Sequence, residues 1–98
     1  MDKLPAPTEK EITKAIRDYL RLKNIWHFKV MQGLGCAVGI PDIVGIYRGR
    51  FLGIEIKTKT GKLSIMQKVV IDEINANCGI AFVARSVDDV IQKLREVG

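Results

Sequence analysis

Residues 39–57 read GIPDIVGIYRGRFLGIEIK, and this stretch decides the fold. Two runs of apolar and β-branched residues flank Arg48-Gly49, which is typical of a tight turn between antiparallel strands. With the turn at this point, each strand residue has a defined partner, so that Val44 lies opposite Gly53. The stretch therefore predicts a β-hairpin with a single register.

The same register places Asp42 opposite Glu55, with Lys57 two residues further along the same face. Two opposed carboxylates repel each other, so they are retained where a cation lies between them. Lys57 is one such cation. A divalent metal is another, because Mg²⁺ prefers one or two carboxylates together with waters and phosphates. A β-bulge near Asp42 would break the register.

Hydrophobic periodicity and capping residues predict the remaining elements. We expect strands at 25–31, 40–47, 50–57 and 80–84, and helices that begin at the N-caps Thr8, Ser64 and Ser86. The first helix should end near Lys23-Asn24 and the second near Asn77, with Gly79 as its C-terminal glycine. The order α-β-β-β-α-β-α predicts an α/β fold, with a mixed sheet of about four strands flanked by helices.

Length and composition restrict the class of protein. The chain has 98 residues and a net charge of +5, which favours one globular domain over residues 1–98 and permits a nucleic-acid partner. No apolar run is long enough for a membrane span, and residues 1–7 resemble a flexible arm more than a signal peptide. We therefore expect a cytoplasmic protein. Two cysteines, Cys36 and Cys78, and one histidine are too few for a zinc site, and we expect both thiols to be reduced.

The first helix contains two acids near its start. On a helical wheel Glu9 falls inside the apolar stripe, so it should face the core side near the sheet. Glu11 falls outside the stripe and completes a capping box with Thr8. Glu9 is therefore the better candidate for a third acid beside the sheet, although complementing the helix dipole is an alternative role.

These residues resemble the PD-(D/E)xK nuclease motif, in which Pro41-Asp42 precedes Glu55-Ile56-Lys57. The wider pattern is similar to the VRR-NUC (virus-type replication and repair nuclease) family. Nearly the whole chain carries the likeness, through TEKEI in the first helix, the hairpin extended to LSIMQK, and GIAFVARSVDDVIQKL at the end.

The resemblance implies a restriction-endonuclease-like core that hydrolyses DNA phosphodiesters with Mg²⁺ or Mn²⁺. It assigns Asp42, Glu55 and the Ile56 backbone carbonyl to the metal, and Lys57 to the attacking water and scissile phosphate. Glu9 matches the helix glutamate and Gln67 the glutamine after ExK. Gln67 is also the N3 residue of a capping box, so both roles stay open.

Short, stand-alone members of the family resemble Holliday-junction resolvases that act as homodimers, which implies branched DNA as substrate and a phage or bacterial source. Candidate phosphate contacts are the basic residues Lys29, Arg48, Arg50, Lys59 and Lys62. His27 lies between two aromatic residues and is interpreted as structural, and the glycine-rich segment 32–39 as a flexible approach to the site.

Two other functions compete with the nuclease. One is a catalytically silent nucleic-acid-binding module with the same fold, which the loss of an acid or of the lysine would favour. The other is an unrelated α/β domain in which Asp42, Glu55 and Lys57 form a structural ion-pair cluster. The presence of all the motif residues favours the nuclease.

Overall fold

The computed structural model of the protein describes residues 4–31, 33 and 37–98. Its helices are α1 (Glu9–Leu22), α2 (Ile65–Ala76) and α3 (Val87–Val97), and its strands are β1 (His27–Lys29), β2 (Ile43–Tyr47), β3 (Arg50–Ile56) and β4 (Ile80–Ala84). The predicted element order and α/β class are confirmed. Half of the glycine-rich segment 32–39, including Cys36, lies outside the described residues.

The four strands form one mixed sheet in the order β1-β2-β3-β4. Strands β1, β2 and β3 pair antiparallel, and β4 runs parallel to β3. Arg48 and Gly49 connect β2 to β3 with φ angles of 51° and 78°, as in a two-residue type I′ turn. The predicted register is confirmed, since Val44 pairs with Gly53 and Tyr47 with Arg50.

Three strands are shorter than predicted, β3 only by its last residue, Lys57. Strand β1 covers three residues instead of the expected 25–31, and β2 begins at Ile43 instead of residue 40. Pro41 lies just before β2 and has no N–H to donate to a neighbouring strand, so regular pairing stops there. Val30 still donates a backbone hydrogen bond to the Asp42 carbonyl at 2.8 Å, which keeps the two chains side by side beyond β1.

The helix boundaries follow local chemistry. The capping boxes of α1 and α2 are both formed, as predicted. At the end of α2, Gly79 N–H donates to the Ile74 carbonyl at 2.8 Å, which completes a Schellman motif. The left-handed residue of this motif is Cys78, with φ of 68°, and not the predicted Gly79. A Cβ at Gly79 would lie 2.5 Å from Ile74 Cγ2, so glycine is needed there for close packing.

The helices lie on opposite faces of the sheet. Alternate residues of β3 and β4 pack with α1 and α3 into one apolar core, whose buried members are Ile12, Ile16, Leu20, Ile43, Leu52, Ile54, Ile56, Ile80, Phe82, Ala84, Val90 and Leu94. Helix α2 contacts β3 and β4 from the other side. None of its own residues is buried, so this side contributes less to the core. No helix within the described ranges combines the length and the apolar character needed to cross a bilayer.

The close approach of β1 and β2 requires glycine at position 45. A Cβ there would overlap the Trp26 carbonyl oxygen and lie 2.9 Å from His27 Cβ. We expect Gly45→Ala to lower the free energy of unfolding by about 1–3 kcal/mol, the range for overpacking, as measured by urea denaturation. Gly61→Ala is the matched control, because its nearest neighbour is the Thr58 hydroxyl at 3.3 Å. An equal loss in both variants would contradict this account.

Candidate functional site

Asp42 and Glu55 meet at the end of the hairpin that is remote from the turn. Glu55 belongs to β3, and only 2% of its surface is exposed. Asp42 is half-buried and directly precedes β2. Its Oδ2 atom accepts a 2.7 Å hydrogen bond from the Ile56 N–H. The predicted β-ladder therefore stops at the Ile43–Ile54 pair, one residue before the two acids. The Ile56 N–H is bonded by the Asp42 side chain instead of by a backbone carbonyl of the neighbouring strand.

The Ile56 carbonyl is directed toward the chain before β2, where the regular pairing of β2 with β3 has ended. In this register Pro41 stands opposite Ile56, and a proline has no N–H to donate. Lys57, the next residue, points its own N–H in the other direction and donates to the Ala84 carbonyl at 3.1 Å. Strand β2 therefore leaves the Ile56 carbonyl oxygen without a ladder partner, beside the two carboxyl groups. This position is compatible with the metal-ligand role that the family resemblance implies.

The carboxyl group of Glu55 is held in an unfavourable setting for a charge. Its Oε1 atom is buried and has no hydrogen-bond partner among the described residues. Burial, followed by the hydrogen bond to Asp42 and the negative charge of Asp42, raises the pKa of Glu55 to about 9. The positive charge of Lys57 acts in the opposite direction, and Glu9 adds to the increase. Without a bound cation Glu55 is therefore protonated at neutral pH.

Lys57 is half-exposed at the end of β3. It lies on the same face as Glu55, and its charge lowers the pKa of that residue. The ion pairs found across residues 4–31, 33 and 37–98 join Lys14 and Arg21 to Asp18, and Lys93 to Glu96. None involves Lys57, so the alternative of a structural ion-pair cluster has no direct support.

The two acids of α1 have separate roles. Glu11 accepts a 3.0 Å hydrogen bond from the Thr8 N–H, as the capping box predicts. Glu9 is exposed, so it is not part of the buried core. It lies in the first turn of α1, before the buried Ile12. Glu9 nevertheless lines a cleft of about 520 Å³ together with Asp42 and Lys29.

Gln67 has a confirmed structural role. Its side-chain oxygen accepts a 2.9 Å hydrogen bond from the Ser64 N–H, and its own N–H donates to the Ser64 hydroxyl at 3.1 Å. These two bonds form the capping box of α2. A catalytic role for Gln67 remains a prediction.

The hairpin separates the basic residues that lie close together in sequence. Arg48 and Arg50 are at the turn, about 17 Å from Asp42 at 3.4 Å per residue. The Arg50 guanidinium donates to the carbonyls of Cys78 and Gly79 at 2.8 and 3.2 Å. Arg48 donates to the Gly98 carbonyl and lies over the Tyr47 ring. The structure therefore gives both arginines packing roles far from the acids.

Lys59 and Lys62 remain exposed in the loop after β3, close to Lys57 in the chain. The Arg85 guanidinium, at the end of β4, holds this loop by donating to the carbonyls of Thr58 and Gly61, both at 2.6 Å. Arg85 is not among the residues predicted for the site. The sequence does contain a signal for its location: Arg85 directly follows β4, which is parallel to β3, and the carboxyl ends of parallel strands lie at the same edge of the sheet.

A second omission is the basic row of α1. Lys10, Lys14, Arg17 and Arg21 line the same cleft as Asp42. Their spacing of three or four residues places them on one face of the helix, and this spacing is visible in the sequence. His27 lies beside this row. Its Nδ1 is 2.9 Å from the Ile25 carbonyl and its Nε2 is 3.5 Å from Arg17 Nε, in agreement with its structural interpretation.

The donor set suits a hard divalent cation. It consists of an unpartnered buried oxygen of Glu55, the adjoining carboxyl of Asp42 and the free direction of the Ile56 carbonyl. Oxygen donors of this kind match Mg²⁺ or Mn²⁺ with additional waters. Within the described part of the chain, no three acidic, histidine or cysteine side chains come together as a metal cage. Mg²⁺ does not require such a cage.

Comparison with known proteins leaves the chain without an assigned family. No family model matches it, and no curated protein is significantly similar to it. The motif residues and their geometry are therefore the basis for inferring a function.

The raised pKa of Glu55 predicts how stability depends on pH. The folded state binds the proton more tightly than the unfolded state, whose carboxyl has its ordinary pKa near 4.5. The contribution of Glu55 to the free energy of unfolding is fully present below pH 4.5 and is lost as the pH rises through about 9. We expect Glu55→Gln to flatten the decline between pH 5 and 9, measured by urea unfolding at each pH. Glu73→Gln, an exposed glutamate of α2, is the control. An unchanged slope in Glu55→Gln would contradict the assignment.

Proposed function

We propose that the protein is a metal-dependent endonuclease that hydrolyses DNA phosphodiester bonds with Mg²⁺ or Mn²⁺. One observation carries the proposal: the buried, unpartnered carboxyl oxygen of Glu55 lies beside Asp42, with Lys57 on the same face of β3. Burying two interacting acids is costly unless a cation compensates them. The cleft next to Asp42 gives a phosphate access to the site.

In this mechanism Asp42 and Glu55 would hold the metal, and Glu55 would give up its proton to do so. The chemistry that a metal there would supply is a water of lowered pKa and a Lewis acid for the phosphoryl oxygen. Lys57 positions that water and neutralises charge on the scissile phosphate. The hydrogen bond from Ile56 N–H to Asp42 orients the Asp42 carboxyl before the substrate arrives.

The substrate is proposed to be branched DNA, such as a Holliday junction, within a phage or bacterial cell. Lys29 and the loop lysines Lys59 and Lys62 are exposed around the acids and contact phosphates in this proposal. Phosphate contacts hold a substrate without reading its sequence. The three helices pack against the sheet, and the proposal therefore assigns recognition to the shape of the DNA.

Cleavage of a labelled panel of linear duplex, single strand, flap and four-way junction tests this proposal. We expect cutting with Mg²⁺ or Mn²⁺, none with EDTA, and a preference for branched DNA. Asp42→Asn and Lys57→Ala should each lower the rate by about 100-fold or more, the usual cost of losing a group that stabilises transition-state charge. The amide introduced by Asp42→Asn retains an oxygen that can accept from the Ile56 N–H, so the fold should persist. Lys93→Ala, on α3, is the control.

A second readout separates metal binding from catalysis. Mn²⁺ should raise the melting temperature of the wild type, more at pH 8 than at pH 6, because the metal displaces the Glu55 proton. Asp42→Asn should lose this effect. DNA binding without cutting under every metal would contradict the nuclease and leave the silent binding module.

We also propose that two copies associate through the sheet face opposite the core. Trp26, Phe28, Ile46 and Phe51 are exposed on this face, and 63% of the Trp26 surface is accessible. Trp26 and Phe28 contact each other edge to face, with centroids 5.5 Å apart. Exposed apolar patches of this kind mark interaction sites. A two-fold pair would provide two sites for a branched substrate.

Sedimentation velocity tests this association. We expect a dimer for the wild type at micromolar concentration and a monomer for Trp26→Ser combined with Ile46→Ser. Leu22→Ser is the control, because Leu22 is 77% exposed and belongs to α1, which packs on the core face of the sheet. A monomeric wild type, or an intact dimer in the double variant, would contradict this interface.

A further inference from the structure

The cleft beside Asp42 has a basic side formed by one helix. Lys10, Lys14, Arg17 and Arg21 of α1 line it, and Lys29 of β1 lies on the other side. Two carboxylates, Glu9 and Asp42, also line it, at the end where the candidate metal ligands are. The cleft therefore has an acidic end and a longer basic stretch.

The basic side chains have few strong partners. Lys14 and Arg21 share Asp18, at 2.8 and 3.3 Å, and all three side chains are more than half exposed. Exposed ion pairs of this type are weak and are screened by salt, so a phosphate can displace Asp18. Arg17 Nε lies 3.5 Å from His27 Nε2, and none of the ion pairs within the described residues involves Arg17. The row is consequently available to an anionic ligand.

The length of the basic row on α1 favours a linear polyanion as its ligand. From Lys10 to Arg21 the helix advances about 16 Å at 1.5 Å per residue. One strand of B-form DNA has about five phosphates over this length, at 3.4 Å per nucleotide. A single line of cations along one helix matches one strand, and a compact anion would contact only part of it.

We infer that the basic face of α1 binds the phosphate backbone of one DNA strand. The bound strand then extends along α1, starting from the end of the cleft where Asp42 and Glu55 lie. The direction of the strand rests on the proposed function, because it places the scissile phosphate at the acidic end. The binding itself rests on the row of cations. Helix α1 then has two functions, since its opposite face closes the core with Ile12, Ile16 and Leu20.

The salt dependence of DNA binding tests this inference. The triple variant Lys10→Gln, Lys14→Gln and Arg21→Gln keeps Arg17 and its contact with His27, so the helix packing is preserved. Lys23→Gln, Lys93→Gln and Arg95→Gln form the matched control, with the same loss of charge at positions outside the cleft. Binding of a labelled single-stranded 20-mer is measured in EDTA at several salt concentrations, and circular dichroism verifies that both variants are folded.

For the α1 variant we expect at least tenfold weaker binding at low salt and a salt slope shallower by about two, since each single-strand phosphate contributes about 0.7. The control should change less than threefold. Equal losses in the two variants would overturn the inference, because they would reflect net charge alone. Binding of an RNA 20-mer more than tenfold tighter than DNA would overturn the assignment to DNA.

Cleavage assays on the same proteins separate the two proposals. If the wild type binds DNA through α1 but does not cleave it in the presence of any metal tested, the nuclease proposal fails and the strand-binding face remains. If the wild type cuts DNA and the α1 variant binds and cuts like the control, the strand-binding face fails and the nuclease remains.

Discussion

The burial of the Glu55 carboxyl against Asp42 is the constraint on which the rest of this site depends. The inner part of β3 is otherwise apolar, and a carboxylate in it must share a proton or accept a cation. The arrangement survives because Asp42 is anchored by the Ile56 N–H at 2.7 Å and because Lys57 lies on the same face. All of these groups lie in the two chain segments that the tight turn connects. A change in hairpin register by one residue would turn Glu55 to the opposite face of the sheet.

Much of the fold was predictable because its signals are local. The turn at Arg48-Gly49, the two capping boxes and the alternation along β3 each depend on a few neighbouring residues. The differences between prediction and structure arise at the ends of elements, where one missing hydrogen bond or one close contact decides the boundary. Pro41 ended β2 early because it stands opposite Ile56, and Cys78 took the left-handed position because Gly79 packs against Ile74.

The site was predictable only in part. The hairpin alone places Asp42, Glu55 and Lys57 together, so these residues follow from strand periodicity. The helical wheel placed Glu9 on the side of α1 that lines the cleft with Asp42, but a wheel does not show how far a side chain is exposed to solvent. Arg48 and Arg50 are near Lys57 in sequence, yet the length of the hairpin puts them at the opposite end of the sheet. The contribution of Arg85 depends on the parallel crossover, which brings the ends of β3 and β4 to one edge.

The two borders of the sheet are protected in different ways. On β4, the Asn75 side chain donates to the Ala81 carbonyl at 2.9 Å and accepts from the Ala81 N–H at 2.8 Å, as a neighbouring strand would. On the other border β1 is only three residues long and ends in Lys29. Short, charged or occupied edges prevent other chains from adding as further strands. Any assembly of this protein should therefore be closed and side-chain mediated, and the sheet itself should resist growth into fibrils even at high concentration.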